Sequence, residues 1–134
     1  MINGLSHITL VVHDIHKTTE LFNFLFDAKE IYYSADTYYS LSKEKFLLVN
    51  DLWIAIMEGD PLPVKTYNHI AFKISEGDFD MYLDKITKLG LEIIDDRSRL
   101  PGEGKSIYFF DYDNHLFELH TGSLEERLRE YQKE

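Results

Sequence analysis

Gly4-Leu5-Ser6-His7-Ile8-Thr9-Leu10-Val11-Val12 returns further along the chain as Thr66-Tyr67-Asn68-His69-Ile70-Ala71-Phe72-Lys73-Ile74. In both stretches a histidine opens a run in which apolar residues alternate with others, the two-residue period of a strand with one buried face. The segments after the two runs match as well. Asp14 precedes a helical stretch with Leu21, Phe22, Leu25 and Phe26 along one face, and Asp78 precedes another with Phe79, Tyr82, Leu83 and Ile86 at helical spacing. Both aspartates read as N-caps. Gly90 ends the second helix as a glycine beyond its last turn, while Ala28-Lys29 closes the first.

Three strand-like runs come after each helix, at 29–33, 37–42 and 46–57 in the first half and at 91–95, 105–110 and 115–121 in the second. His7 and His69 lie 62 residues apart and Gly59 and Gly122 lie 63 apart, so the halves agree in length to one residue. The expected fold is therefore α+β, two tandem βαβββ modules in one 1–134 domain. The modules span 1–59 and 65–122. Pro61 and Pro63 interrupt the chain between them, and a helix over 123–133 opens with Ser123 and Glu126 at capping-box spacing.

The composition narrows the chemistry. With 134 residues and 44% hydrophobic content, the chain can bury a core of its own. The excess of 24 acidic over 14 basic residues gives a net charge of -10, which argues against nucleic acid as a partner. No apolar run is long enough to span a bilayer and no leader-like segment opens the chain, so a soluble cytoplasmic protein without a membrane partner is expected. Cysteine is absent, so any metal site must use His, Asp and Glu.

Strand alternation sets His7, Thr9 and Val11 on one face and Ile8, Leu10 and Val12 on the other, where the helix should pack. By the same count Glu118 shares a face with Leu116 and His120, and Trp53 with Ala55 and Met57. The matched glycines align Ala55 with Glu118, so the repeat offers four equivalent positions: His7, Ala55, His69 and Glu118. Three of these can ligate a metal. A two-histidine, one-carboxylate set leaves positions open for substrate, and it suits an oxygen-binding ion such as Mn(II) better than a closed structural zinc. His120 is the competing ligand. His13, His16 and His115 fall at expected turns and read as solvated.

Those residues resemble the vicinal oxygen chelate superfamily, whose paired βαβββ modules cup a metal. Within it, the chain is similar to the fosfomycin resistance proteins over 4–9, 52–57, 67–72, 102–109 and 113–122. The segment 40–46 is similar to that of the FosX-type, water-adding branch, in which the glutamate at Glu44 is the general base. The resemblance implies an Mn(II)-dependent epoxide hydrolase that converts fosfomycin to a diol. It also implies a homodimer with modules exchanged between chains, so that His7 of one copy joins His69 and Glu118 of the other. Phosphonate contacts are expected from Arg127 and Lys105. Hydrogen bonds would come from Ser106, Tyr108, Tyr67 and Thr9, and Trp53 would wall the pocket. Potassium-dependent members carry Asn and Ser where Leu100 and Gly102 stand here, so no potassium requirement is expected.

Plainer readings stand beside these. Glu44 lies in a Lys-Glu-Lys run that by itself marks a solvated turn. Arg127 has Glu125, Glu126 and Glu130 near it on one helix, where intrahelical ion pairs are the ordinary outcome. Arg97 and Arg99 could face substrate or solvent. Two other functions fit the scaffold: a thiol transferase using glutathione or bacillithiol, and a non-catalytic drug-sequestering module.

Overall fold

A computed structural model of the chain describes residues 1–94 and 104–133. The chain divides into two compact units, Met1–Pro63 and Val64–Glu134. In the first, β1 (His7–Val12), α1 (Ile15–Phe26), β2 (Lys29–Tyr33), β3 (Glu44–Val49) and β4 (Leu52–Glu58) form a four-stranded sheet in the order β1-β4-β3-β2 with one helix. Only β1 and β4 run parallel, with His7 opposite Trp53 and Thr9 opposite Ala55.

The alternation in β1 sorts as expected: Leu10 and Val12 are buried while His7, Thr9 and Val11 are exposed. Leu47, Ile54 and Ile56 join them in the core with Leu21, Phe22 and Leu25 of α1, and burial of each large side chain contributes roughly 1.5–3 kcal/mol. Asp14 caps α1, its Oδ1 accepting from the His16 and Lys17 N–H groups at 3.0 Å each. The Lys17 N–H, and after it the His16 N–H and nearby histidine charge, hold this carboxyl below its usual range against the opposing pull of desolvation. A lowered native-state pKa stabilises the fold above the unfolded-state value and loses that effect as pH falls. Asp14→Ala should therefore lower the melting temperature at neutral pH, with the difference from wild type closing on acidification through the carboxylate range. A pH-independent difference would contradict the cap.

Three boundaries differ from expectation in this unit. The 37–42 run is irregular chain and bend rather than strand. The 46–57 run is not one strand but the β3/β4 hairpin, closed by Asn50 at φ 53° and Asp51 between the paired residues Val49 and Leu52. Asn tolerates that left-handed backbone, which lets two residues reverse the chain. The hairpin begins at Glu44, so Glu44 and Lys45 are strand residues rather than part of a solvated turn, with Lys43 just before them. Asp27 at φ 52° ends α1, with the Ala28 N–H reaching Phe22 O at 3.2 Å.

The second unit repeats the plan. β5 (His69–Lys73), α2 (Phe79–Lys88), β6 (Ile93–Ile94), β7 (Ser106–Phe110) and β8 (Leu116–His120) give the order β5-β8-β7-β6, and α3 (Leu124–Tyr131) comes last. β5 and β8 run parallel with His69 opposite Leu116 and Ala71 opposite Glu118. Since Thr9 stands to Ala55 as Ala71 stands to Glu118, the register reproduces the four-position equivalence read from the sequence. Phe109, Phe117 and Leu119 are buried, and Phe117 stacks on Phe109 and Phe72 at 5.8 and 6.2 Å.

Asp78 does not cap α2. It ends a 3₁₀ turn, Glu76–Asp78, that runs straight into the helix, so its backbone is already helical and its side chain makes no cap bond. Gly90 at φ 69° stops α2 as expected. Ser123 caps α3 by accepting from the Glu126 N–H at 3.1 Å, but Glu126 takes the Ser123 hydroxyl rather than its N–H, so the box is half formed. His115 is not solvated: its Nδ1 pairs with Asp111 Oδ2 at 2.8 Å, while Asp111 Oδ1 accepts from the Asp113 and His115 N–H groups. That turn fixes β7 against β8. Among the described residues no helix is long and apolar enough to cross a membrane.

Candidate metal centre and its surroundings

In the second unit the sheet register lines up His69, Glu118, His120, Tyr108 and Ser106 on one face. His69 Nε2 stands 3.0 Å from Glu118 Oε1, with the carboxylate side chain only 6% exposed. The other ring nitrogen, Nδ1, lies 2.7 Å from the Tyr67 carbonyl. A carbonyl can only accept, so Nδ1 carries a proton, and in the neutral ring Nε2 turns its lone pair toward the carboxylate. Two acceptors at that separation repel unless a cation lies between them. The nitrogen and oxygen donors, without thiolate, fit a divalent ion of the Mn(II) kind.

Glu118 Oε2 is engaged on its other side. Ser106 Oγ donates to it at 2.5 Å and lies 2.7 Å from His120 Nδ1, while Arg127 Nη2 lies 3.3 Å from His120 Nε2. Arginine only donates, so His120 Nε2 accepts and Nδ1 carries the proton that goes to Ser106. This direction excludes a serine nucleophile activated by His120, whose Nδ1 has no lone pair to offer. These groups border a cavity of about 300 Å³ lined by His69, Ala71, Glu118, His120, Gly122, Ser123, Leu124 and Arg127. Gly104 packs behind the Gly122 lining residue: at φ 87° it approaches so closely that a Cβ would lie 2.6 Å from the Gly122 nitrogen.

The first unit carries the other predicted residues on the face away from α1. His7 stacks on Trp53 at 4.1 Å, Trp53 meets Phe46 edge-on at 5.0 Å, and Ser6 Oγ lies 2.9 Å from His7 Nδ1. The strand register puts Thr9 beside Ala55 and Glu44 opposite Met57, all on this face. Glu44 is 9% exposed. Its lysine neighbours are taken elsewhere, Lys43 by Asp36 at 3.1 Å and Lys45 by Glu30 at 2.6 Å, because alternation turns them to the opposite side. Among the described residues Trp53 Nε1 is buried with no acceptor.

The remaining predicted residues divide. Tyr67 donates its hydroxyl to Tyr108 at 3.1 Å, and both rings lie edge-on to His69. Arg127 turns from its glutamate neighbours to the cavity. Lys105 does not line it; its ammonium lies over the Phe79 ring, 3.8 Å from Glu76. Arg97, Arg99, Leu100 and Gly102 fall outside the described residues. Among the described residues no three His, Asp or Glu side chains converge as a complete metal site. The His120 relay is not legible in the sequence, since the spacing of His120 from Glu118 fits a ligand and a support equally.

Residues 4–119 match the glyoxalase/bleomycin resistance protein/dioxygenase superfamily. The fosfomycin resistance protein FosX of Listeria innocua is 60% identical over 133 residues, 99% of this chain and 100% of that protein. The metallothiol transferase FosB of Lysinibacillus sphaericus is 37% identical, covering 99% and 92%. A crystal structure of a FosX mutant from Listeria monocytogenes, complexed with Mn(II) and 1S,2S-dihydroxypropylphosphonic acid, matches with a TM-score of 0.91 at 55% identity over 98% of this chain and 100% of that one. Fold, register and similarity agree that the chain belongs to the glyoxalase/bleomycin resistance protein/dioxygenase superfamily, on the branch of the FosX fosfomycin resistance proteins.

Proposed function

We propose that this chain is a cytoplasmic, Mn(II)-dependent hydrolase that opens the epoxide of fosfomycin with water, giving the vicinal diol and so resistance to the drug. The observation that carries the reading is the His69–Glu118 pair, two acceptors aimed at one point beside an arginine-lined cavity. The diol in the FosX complex is what water addition to an epoxide yields, and FosX at 60% identity stands well above the thiol transferase at 37%.

In this reading His69, Glu118 and His7 hold the ion, with His7 contributed by a second copy in a module-exchanged homodimer. The 1–134 chain works as one domain of two modules, 1–59 and 65–122, with the helix over 123–133. When bound, the ion supplies Lewis acidity for the opening of the ring. Glu44 accepts a proton from the attacking water as its oxygen bonds to the epoxide carbon and the carbon–oxygen bond of the ring breaks; solvent protonates the oxygen released. General-base assistance of this kind contributes ~10²- to 10⁴-fold. Glu44 is suited to it because neither flanking lysine neutralises it.

Arg127 supplies the local positive charge that a phosphonate needs in a chain of net charge -10. Tyr67, Tyr108, Thr9 and Trp53 line the substrate's path. Ser106 serves Glu118 rather than substrate, and Lys105 is left out of the phosphonate site.

The test is an assay of the purified protein with fosfomycin and Mn(II), with products identified by mass spectrometry in the presence and absence of glutathione and bacillithiol. The expected product is fosfomycin plus one water under both conditions. A thiol adduct as sole product would replace hydrolysis with thiol transfer, and binding without turnover would leave a sequestering module.

A further inference from the structure

We propose that Ser106 and His120 are positioning residues that restrict Glu118 to ligation through a single oxygen, with the direction of the chain set by Arg127. This rests on the metal reading of His69 and Glu118. Each link has one polarity. The Arg127 guanidinium has no lone pair, so its contact at 3.3 Å assigns the acceptor role to His120 Nε2. A neutral imidazole carries one N–H, which therefore sits on Nδ1 and donates to Ser106 Oγ at 2.7 Å. The serine's single hydroxyl proton is left for Glu118 Oε2 at 2.5 Å. The chain ends on the carboxylate.

The effect is on the geometry of the ligand. Oε2 is held by the Ser106 hydroxyl, with His120 Nδ1 3.4 Å away on the same side, and Oε1 faces His69. Rotation of the carboxyl group toward two-oxygen ligation would break the short Ser106 bond. His69 is fixed in the corresponding way by the Tyr67 carbonyl, so both ligands of this unit arrive with their donor atoms already aimed. The same chain draws Arg127 to the cavity edge, coupling the phosphonate contact to the carboxylate ligand through two side chains.

The test compares wild type with Ser106→Ala, His120→Phe, the double variant, Ser106→Thr and His120→Asn. Mn(II) affinity is read from the electron paramagnetic resonance signal of free aquo Mn(II), and kcat and KM for fosfomycin are measured at saturating metal. Ser106→Ala and His120→Phe should each weaken Mn(II) binding by ~10- to 100-fold, as loss of outer-shell partners does. The double variant should be no weaker than the worse single one, since both cuts sever one chain. Ser106→Thr keeps the hydroxyl, and the amide of His120→Asn can donate where Nδ1 does, so both should recover most of the affinity. Affinities within about twofold of wild type for the Ala and Phe variants, or additive losses without rescue, would overturn the inference while leaving the metal reading intact. Wild-type protein that binds no Mn(II) would overturn both.

Discussion

Glu44→Gln should lower the rate of water addition to fosfomycin by ~10²- to 10⁴-fold while leaving Mn(II) affinity within a few-fold of wild type. The substitution keeps shape and hydrogen-bonding length but removes the basic oxygen, so the loss isolates proton transfer. Glu44 opens β3 with its backbone pinned on both sides: its N–H donates to Ser34 Oγ at 3.0 Å, and its carbonyl accepts from the Ser34 N–H at 3.0 Å. Gln at this position should therefore fold without rearrangement. A thiol added in place of water needs no base from the protein, because it can arrive as a thiolate, so any thiol addition should survive. Measuring both products in one Glu44→Gln preparation separates loss of a base from general damage. Hydrolysis retained near the wild-type rate would remove Glu44 from the reaction.

Much of this arrangement is legible in the sequence, for a physical reason. The two-residue strand period places His7 and His69 on equivalent faces, and the repeat length carries that equivalence to Ala55 and Glu118 without any knowledge of how the sheets form. The register, Thr9 with Ala55 and Ala71 with Glu118, requires nothing more. What the sequence hides depends on single backbone conformations and on long side chains. Asn50 in the left-handed region divides what reads as one apolar run into a hairpin, and this shift makes Glu44 a strand residue instead of part of a charged turn. Asp78 looks like Asp14 in sequence, yet the 3₁₀ turn before it consumes the capping position.

Side-chain direction is hidden more deeply still. His120 shares the face of Glu118 at a spacing that suits a ligand, and only the arrival of Arg127 from α3 makes it a donor to Ser106. Lys105 shows the converse. Its charge and its place beside Ser106 suggest a substrate contact, but an exposed lysine turns to the nearest acid and aromatic ring, here Glu76 and Phe79.

Glu118→Gln should abolish Mn(II)-dependent stabilisation and activity while leaving the metal-free protein about as stable as wild type. In the wild type with a neutral His69 ring, Nε2 and Glu118 Oε1 meet at 3.0 Å as two acceptors, which a metal cation can join. The amide needs no such cation. Ser106 Oγ, donating toward the position of Oε2, orients the new amide with its oxygen to the serine, which turns the NH₂ group toward the His69 Nε2 lone pair. A neutral hydrogen bond replaces the pair, and the metal-free fold should change by no more than about 1 kcal/mol. Metal binding should then fail for the same reason the apo form is content: the oxygen that faced the ion has become a donor. For wild type, Mn(II) at 100 times its dissociation constant should raise stability by about 2.7 kcal/mol, readable as a rise in melting temperature. Glu118→Gln should show no such rise at the same Mn(II) concentration and no diol formation. His69→Ala would also lose the metal, but it leaves the buried carboxylate facing an empty space, so its metal-free form should melt below that of Glu118→Gln. A Glu118→Gln protein that still gains stability from Mn(II), or whose metal-free form melts below that of His69→Ala, would mean that the pair is held together by something other than the ion assigned to it.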